Sequence, residues 1–128
     1  MIYLDSSVVL ARLFVEPNRP SDAFWMQPFT SSRLLAYEVY VRVHARGLWP
    51  MRGAEAEALL NRLALLDMSE DILARAMKPF PLSVRTLDGL HLATMDFLRA
   101  HGQTVELASY DVRLASAAVA LGFSLAKF

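Results

Sequence analysis

The sequence predicts an α/β domain of three layers, in which helices flank a central, mostly parallel sheet. Short apolar segments alternate with helical patterns along the chain, and this alternation is typical of strands that pair in parallel. The 128 residues are enough for one domain with its own core. No repeat, linker or low-complexity segment divides the chain, so residues 1–128 are predicted to form a single domain.

The first half of the chain begins with a strand and continues mainly as helices. Residues 2–5, in which three apolar residues precede Asp5, predict the strand. Ser6 or Ser7 is expected to cap a helix over 8–15, which Pro17 ends. The patterns that follow predict a short helix before Pro28, a strand over 29–31, a helix over 33–46 capped by Ser32, and a helix over 53–66.

The second half continues the alternation of strand and helix. Its predicted elements are a strand over 67–69, a helical turn over 70–77, a long helix over 87–101, a strand over 104–111, a helix over 112–121 and a strand over 123–128. Gly102 and Gly122 are expected to end the last two helices, because glycine readily adopts the backbone conformation that closes a helix.

The composition excludes several classes of site and partner. The chain has no cysteine, which excludes disulfides and thiolate metal sites and is compatible with the cytoplasm. Its 13 basic residues balance its 13 acidic ones, so it lacks the basic footprint of a duplex-DNA binder. Residues 114–126 are apolar but too few to span a bilayer. We therefore expect a cytoplasmic protein that does not contact a membrane.

Two acidic residues stand at the ends of predicted strands. Asp5 ends the first predicted strand, and Asp111 stands directly after VELASY at the end of the predicted strand over 104–111. Binding sites of open α/β sheets form outside the carboxyl ends of the strands, so these two carboxylates are expected to face the same crevice. The alternative is that each only caps the helix behind it, since aspartate is a favoured N-cap residue.

Two further acids lie within predicted helices. Glu38 interrupts an otherwise apolar helix, and its alternative role is an ion pair with Arg42 four residues later. Asp88 lies in a first helical turn, where a carboxylate interacts favourably with the helix dipole. Four separate local roles are a less economical explanation than one shared site. His91 lies on the same helix face as Asp88, and we expect a packed, hydrogen-bonded core histidine rather than a ligand.

A cluster of four carboxylates needs compensation. Two carboxylates about 4–5 Å apart repel each other by roughly 3–4 kcal/mol at an effective dielectric constant of about 20. Protons or a cation must offset this repulsion. Because the chain has no cysteine, the available ligands are mainly hard oxygens, which favour Mg²⁺ or Mn²⁺ over Zn²⁺. Such ions in carboxylate pockets usually act on phosphates.

Four segments carry the acids in order: MIYLDSSVVLA, SSRLLAYEVYVRVHARG, RTLDGLHLATM and LASYDVRLASAAVALGF. They resemble the four motif blocks of PIN-domain proteins and, more closely, those of the VapC ribonuclease toxins of bacterial toxin–antitoxin pairs. The positions that match the family's acids are Asp5, Glu38, Asp88 and Asp111. The family's hydroxyl positions fall on Ser6 and Ser109. Residues 48–80 match only in helical character.

The resemblance implies a metal-dependent endoribonuclease that hydrolyses RNA with Mg²⁺ or Mn²⁺ and leaves a 5′-phosphate and a 3′-hydroxyl. It implies that Asp5 and Asp88 bind the metal, and that Glu38 completes the site or positions the water. It implies further that Asp111 holds a second metal or binds through water, and that Ser6 and Ser109 support the ligands or contact the RNA.

The resemblance also implies protein partners, namely a cognate antitoxin and a second copy of the chain in a homodimer. The mean hydropathy of +0.30 is high for a chain of this size and is consistent with apolar surface reserved for a partner. The candidate contact residues are Phe24, Trp25, Trp49 and Met51, with core packing as the alternative for each.

Two other classes of protein compete with a nuclease. A haloacid-dehalogenase-like phosphatase needs Asp-x-Asp, whereas Ser6 and Ser7 follow Asp5. A receiver domain needs a lysine at a strand end, and neither Lys78 nor Lys127 stands at one. A non-catalytic binding module, whose acids only cap helices and form surface pairs, is the alternative that remains. Metal binding distinguishes it from a nuclease.

Overall fold

Five short strands form one sheet at the centre of the molecule. The computed structural model describes residues 1–128, and all four strand pairings in it are parallel. The strands are β1 Ile2–Leu4, β2 Phe29–Ser32, β3 Ala64–Leu66, β4 Glu106–Ala108 and β5 Ser124–Leu125, in the spatial order β3-β2-β1-β4-β5. The three-layer α/β class predicted from the sequence is confirmed.

Helices cover both faces of the sheet. They are α1 Ser6–Leu13, α2 Arg33–Ala45, α3 Trp49–Leu60, α4 Glu70–Ala76, α5 Thr86–Ala100 and α6 Val112–Ala120, with a 3-10 helix over Asp22–Met26. Adjacent residues of a strand point to opposite faces. Accordingly, Leu4 packs into the core beneath α1, α2 and α3, while Tyr3 packs into the core beneath α5 and α6. No helix is both long and apolar enough to cross a membrane.

The order of the strands determines where a site can form. The chain proceeds outward from β1 on one side through β2 and β3, and on the other side through β4 and β5. The connections therefore diverge between β1 and β4, and an open α/β sheet binds ligands in the crevice at such a switch point. The residues that follow β1 and β4 begin at Asp5 and Ser109, so this crevice contains two of the predicted site positions.

The middle of the chain departs from the prediction. Helix α3 spans Trp49–Leu60 rather than 53–66, and the strand lies at Ala64–Leu66 rather than at 67–69. Pro50 fits the first turn of α3, where its missing N–H is not needed. Residues 64–66 pair with β2, and this pairing overrides the high helix propensity of alanine and leucine.

Two of the candidate contact residues belong to the core. Phe24 and Trp25 are buried against Phe29, with 7% and 2% of their surfaces exposed, so the alternative of core packing holds for both and they are no longer candidate partner contacts. Trp49 is half-buried and stacks on His44 with ring centroids 4.6 Å apart. Met51 remains a candidate, since 74% of its surface is exposed.

Candidate active site

Asp5 combines a structural role with an available carboxylate oxygen. It directly follows β1 and caps α1 in place of the predicted Ser6 or Ser7. Its Oδ2 atom accepts hydrogen bonds from Ser7 Oγ at 2.6 Å and from Ser109 Oγ at 2.8 Å. A longer bond of 3.4 Å from the Ser7 backbone N–H completes the cap. All three bonds end on Oδ2, so Oδ1 accepts no hydrogen bond from the protein.

Asp111 is likewise a cap that also faces the crevice. Its Oδ1 atom accepts hydrogen bonds from the backbone N–H groups of Arg113 and Leu114 at the start of α6. Its own backbone N–H donates to Ser109 Oγ at 2.9 Å. Ser109 therefore connects Asp111 to Asp5 and aligns the two strand ends.

Asp88 lies in the first turn of α5, as predicted, with only 9% of its surface exposed. Arg85 Nε donates to Asp88 Oδ2 at 3.1 Å, and Arg85 Nη2 donates to Asp111 Oδ2 at 2.6 Å. The hydrogen bond to Asp88 and the charges of both acids raise the pKa of Arg85. A cationic side chain of the protein itself therefore offsets part of the repulsion that the sequence predicted.

Glu38 faces the cavity but is held from the core side. Its Oε1 atom lies 2.5 Å from His91 Nε2, and its Oε2 atom accepts a hydrogen bond of 3.4 Å from Ser6 Oγ. The alternative ion pair with Arg42 does not form. His91 is a packed core histidine as expected, since only 1% of its surface is exposed, but its partner is a predicted site residue.

Sequence reasoning overlooked two residues of this arrangement. Ser7 donates to Asp5 and accepts a hydrogen bond of 2.9 Å from the Tyr110 backbone N–H, which fixes the loop after β4. From the sequence it was indistinguishable from an ordinary helix cap. Arg85 was missed although its position three residues before Asp88, in the motif RTLD, allows an ion pair within the first helical turn.

One open cavity of about 760 Å³ collects these side chains. Its lining includes all four predicted acids together with Ser6 and Ser7. Arg42, Arg46 and Arg85 supply positive charge, and an apolar wall is formed by Leu10, Phe14, Tyr37, Val41 and Leu87. A cavity with acidic, basic and apolar parts can bind a polyanionic chain through its arginines and place that chain beside its carboxylates.

The four acids share the cavity without forming one ready-made coordination sphere. No group of three or more His, Asp or Glu side chains is arranged to hold a metal ion. Each acid has protein partners of its own: the start of α6 and Arg85 bind Asp111, and His91 binds Glu38. The residues nevertheless fit a magnesium-type ion, because Asp5 and Asp88 each keep an oxygen without a protein partner. Mg²⁺ typically binds one or two carboxylates and retains several waters.

Comparison with known proteins identifies the family. A family model of the PIN domain matches residues 2–120. The chain belongs to the PIN domain family. This PIN-domain chain is 33% identical over 127 residues to Ribonuclease VapC46 of Mycobacterium tuberculosis strain H37Rv, covering 97% of this chain and 95% of the relative. It is 29% identical over 130 residues to Ribonuclease VapC47 of strain CDC 1551, covering 96% of this chain and 93% of the relative.

A solved structure supports the fold of this PIN-domain chain. A chain of a toxin-antitoxin complex from Klebsiella pneumoniae superposes with a TM-score of 0.65 at 19% identity, and the match covers 88% of each chain. The resemblance to PIN-domain and VapC proteins that the four motifs indicated is thereby confirmed.

Proposed function

We propose that this chain is a metal-dependent endoribonuclease and the toxin of a toxin–antitoxin pair, acting as one domain over residues 1–128. The observation that carries the proposal is that the four predicted acids line one open cavity at the switch point of the sheet. The similar Mycobacterium tuberculosis proteins are named ribonucleases, which supports the same function. RNA is the proposed substrate and the cytoplasm the proposed place of action.

Asp5 and Asp88 are the proposed holders of Mg²⁺ or Mn²⁺, through the carboxylate oxygens that accept no hydrogen bond from the protein. When bound, the ion would lower the pKa of a water and offset charge on the scissile phosphate. Ser7 and Ser109 keep Asp5 in one orientation. Asp111 would contact the ion through water or hold a second ion.

Glu38 is the proposed acceptor of the proton from the attacking water. Its Oε2 atom has a single, long hydrogen bond from Ser6 and therefore retains capacity to accept another proton. The water oxygen joins phosphorus, its proton passes to Glu38, the bond from phosphorus to O3′ breaks, and O3′ takes up a proton from solvent water. One RNA fragment then ends in a 3′-hydroxyl and the other begins with a 5′-phosphate.

The purified chain is expected to cleave RNA with Mg²⁺ or Mn²⁺, because the proposed ligands are all hard oxygens that bind these ions. Cleavage is expected to stop when EDTA is added. The measurement is gel analysis of an end-labelled RNA, with cleavage restored by excess Mn²⁺ as the control for irreversible loss of protein. Cleavage that continues unchanged in excess EDTA would contradict the metal mechanism.

A non-catalytic binding module is the second candidate. The caps that Asp5 and Asp111 form at α1 and α6 favour it, because each acid has a structural use without any ligand. If the chain is such a module, it should cleave no RNA, and calorimetry should detect no binding of Mn²⁺ to the metal-free chain.

Removing Arg85 is expected to strengthen metal binding. Arg85 forms ion pairs with Asp88 and Asp111. The substitution Arg85→Gln therefore removes one positive charge from the acidic cavity. Mn²⁺ should then bind up to about tenfold more tightly at low ionic strength, and by a smaller factor in salt. Calorimetry of the metal-free proteins measures this, with Arg113→Gln, outside the cavity lining, as the matched control. Equal affinity in both variants would show that Arg85 does not compete with a cation.

The proposed antitoxin would block the cavity with an arginine. A guanidinium matches carboxylate geometry and competes with a metal, and the apolar wall beside the acids would accept the flanking residues of an antitoxin segment. Copurification of the chain with its neighbouring gene product, followed by RNA cleavage assays, is expected to show an inactive complex. Full activity of the complex would count against this mode of inhibition.

A homodimer is also proposed, and light scattering of the isolated chain measures it.

A further inference from the structure

A buried line of hydrogen bonds connects the sheet to the cavity. Tyr3 OH lies 2.8 Å from His91 Nδ1, and His91 Nε2 lies 2.5 Å from Glu38 Oε1. Tyr3 is fully buried, His91 is 1% exposed, and Glu38 lines the cavity. The three residues come from β1, α5 and α2, so folding of the whole domain is needed to assemble the line.

The direction of these hydrogen bonds follows from the carboxylate at the cavity end. A carboxylate oxygen only accepts hydrogen bonds, so His91 Nε2 carries a proton and donates a hydrogen bond to Glu38 Oε1. Nδ1 is then the ring nitrogen that accepts, and Tyr3 OH donates to it. The hydrogen bond from Tyr3 thereby favours the tautomer that can hold Glu38.

We propose that His91 is a positioning residue for RNA hydrolysis: held by Tyr3, it fixes one carboxylate oxygen of Glu38 and leaves the other for the attacking water. The unrestrained side chain of a glutamate samples many rotamers, and only a few place Oε2 where a water can use it. One short hydrogen bond to a rigid, buried ring removes most of this freedom before the substrate arrives. This inference rests on the proposed nuclease function.

Two substitutions of nearly equal size separate positioning from packing. In His91→Gln the amide nitrogen takes about the place of Nε2 and can still donate to Glu38. In His91→Asn the amide nitrogen reaches only about as far as Nδ1, so the contact with Glu38 is lost. We expect His91→Asn to lower kcat by about 10–100-fold with little change in KM, the usual loss when a residue that orients a metal-site group is removed. His91→Gln should recover most of kcat.

Thermal melts of both variants serve as the control for folding. If His91 only fills the core, activity should follow the folded fraction, and the two variants should lose it together. Equal kcat values for His91→Asn and the parent, at equal folded fractions, would overturn the proposal. So would equal losses in the Gln and Asn variants.

A second readout needs neither metal nor RNA. In the imidazole ¹H–¹⁵N correlation spectrum of the metal-free chain, His91 should show a protonated Nε2 and an unprotonated Nδ1. Tyr3→Phe keeps the ring but removes the hydroxyl, and should shift His91 towards a mixture of tautomers while His44 and His101 stay unchanged. A tautomer that is the same with and without the phenol would overturn the role of Tyr3. If the parent cleaves no RNA, the proposed function fails, yet this spectrum still decides whether Tyr3 fixes His91.

Discussion

Asp5→Asn is expected to abolish RNA cleavage, lowering the rate by about 100-fold or more, while the fold survives. The amide can keep its carbonyl oxygen where Oδ2 accepts from Ser7 and Ser109. Its NH₂ group then occupies the position of Oδ1 and cannot bind a cation. Asparagine caps a helix about as well as aspartate, so α1 should lose little stability.

Cleavage of a labelled RNA and a thermal melt of the same preparations measure the two effects of Asp5→Asn. Asp22→Asn, an exposed acid at the start of the 3-10 helix, is the matched control and should remain active. An Asp5→Asn protein as active as the parent would show that Asp5 serves only as a helix cap.

Asp88→Asn is expected to abolish cleavage and to remove most of the stabilisation that metal confers. A ligand that binds only the folded state stabilises it by about 2.7 kcal/mol at a concentration of 100 times Kd. The parent should therefore gain a clearly higher Tm in excess Mn²⁺, and the variant much less. Without metal, the two proteins should differ little, because neutralising Asp88 loses the pair with Arg85 but also relieves repulsion from neighbouring acids.

Asp71→Asn is the control for the charge effect in Asp88→Asn. Asp71 also lies in the first turn of a helix, α4, but outside the cavity lining, so its variant should keep the full response to metal. An equal response to Mn²⁺ in Asp88→Asn and the parent would mean that Asp88 serves only the N-terminus of α5.

The position of the candidate site could be predicted because it depends on chain direction. Parallel strands place their carboxyl ends at one edge of the sheet, so acids that follow β1 and β4 are expected at the same edge. Asp5 and Asp111 satisfy this condition from sequence alone. Their roles as caps were the alternative that the sequence left open, and the structure shows that capping leaves the second oxygen of Asp5 free.

The partners of the acids could not be predicted, because they are set by packing between distant elements. His91 and Glu38 are 53 residues apart, and Arg85 and Asp111 are 26 residues apart. The shift between α3 and β3 has the same origin. Residues 64–66 have helix-forming side chains, and only the neighbouring β2 makes an extended conformation favourable there.

In the proposed mechanism the carboxylates of this cavity direct water at a phosphodiester of RNA. The chemical groups at the ends of the cleaved RNA distinguish this mechanism from attack within the RNA. Hydrolysis by water gives a 5′-phosphate and a 3′-hydroxyl, whereas attack by the RNA's own 2′-hydroxyl gives a 2′,3′-cyclic phosphate and a 5′-hydroxyl. We expect 5′-phosphate and 3′-hydroxyl ends that require Mg²⁺ or Mn²⁺ and are absent with Asp5→Asn. Cyclic phosphate ends, or the same products from Asp5→Asn, would contradict it.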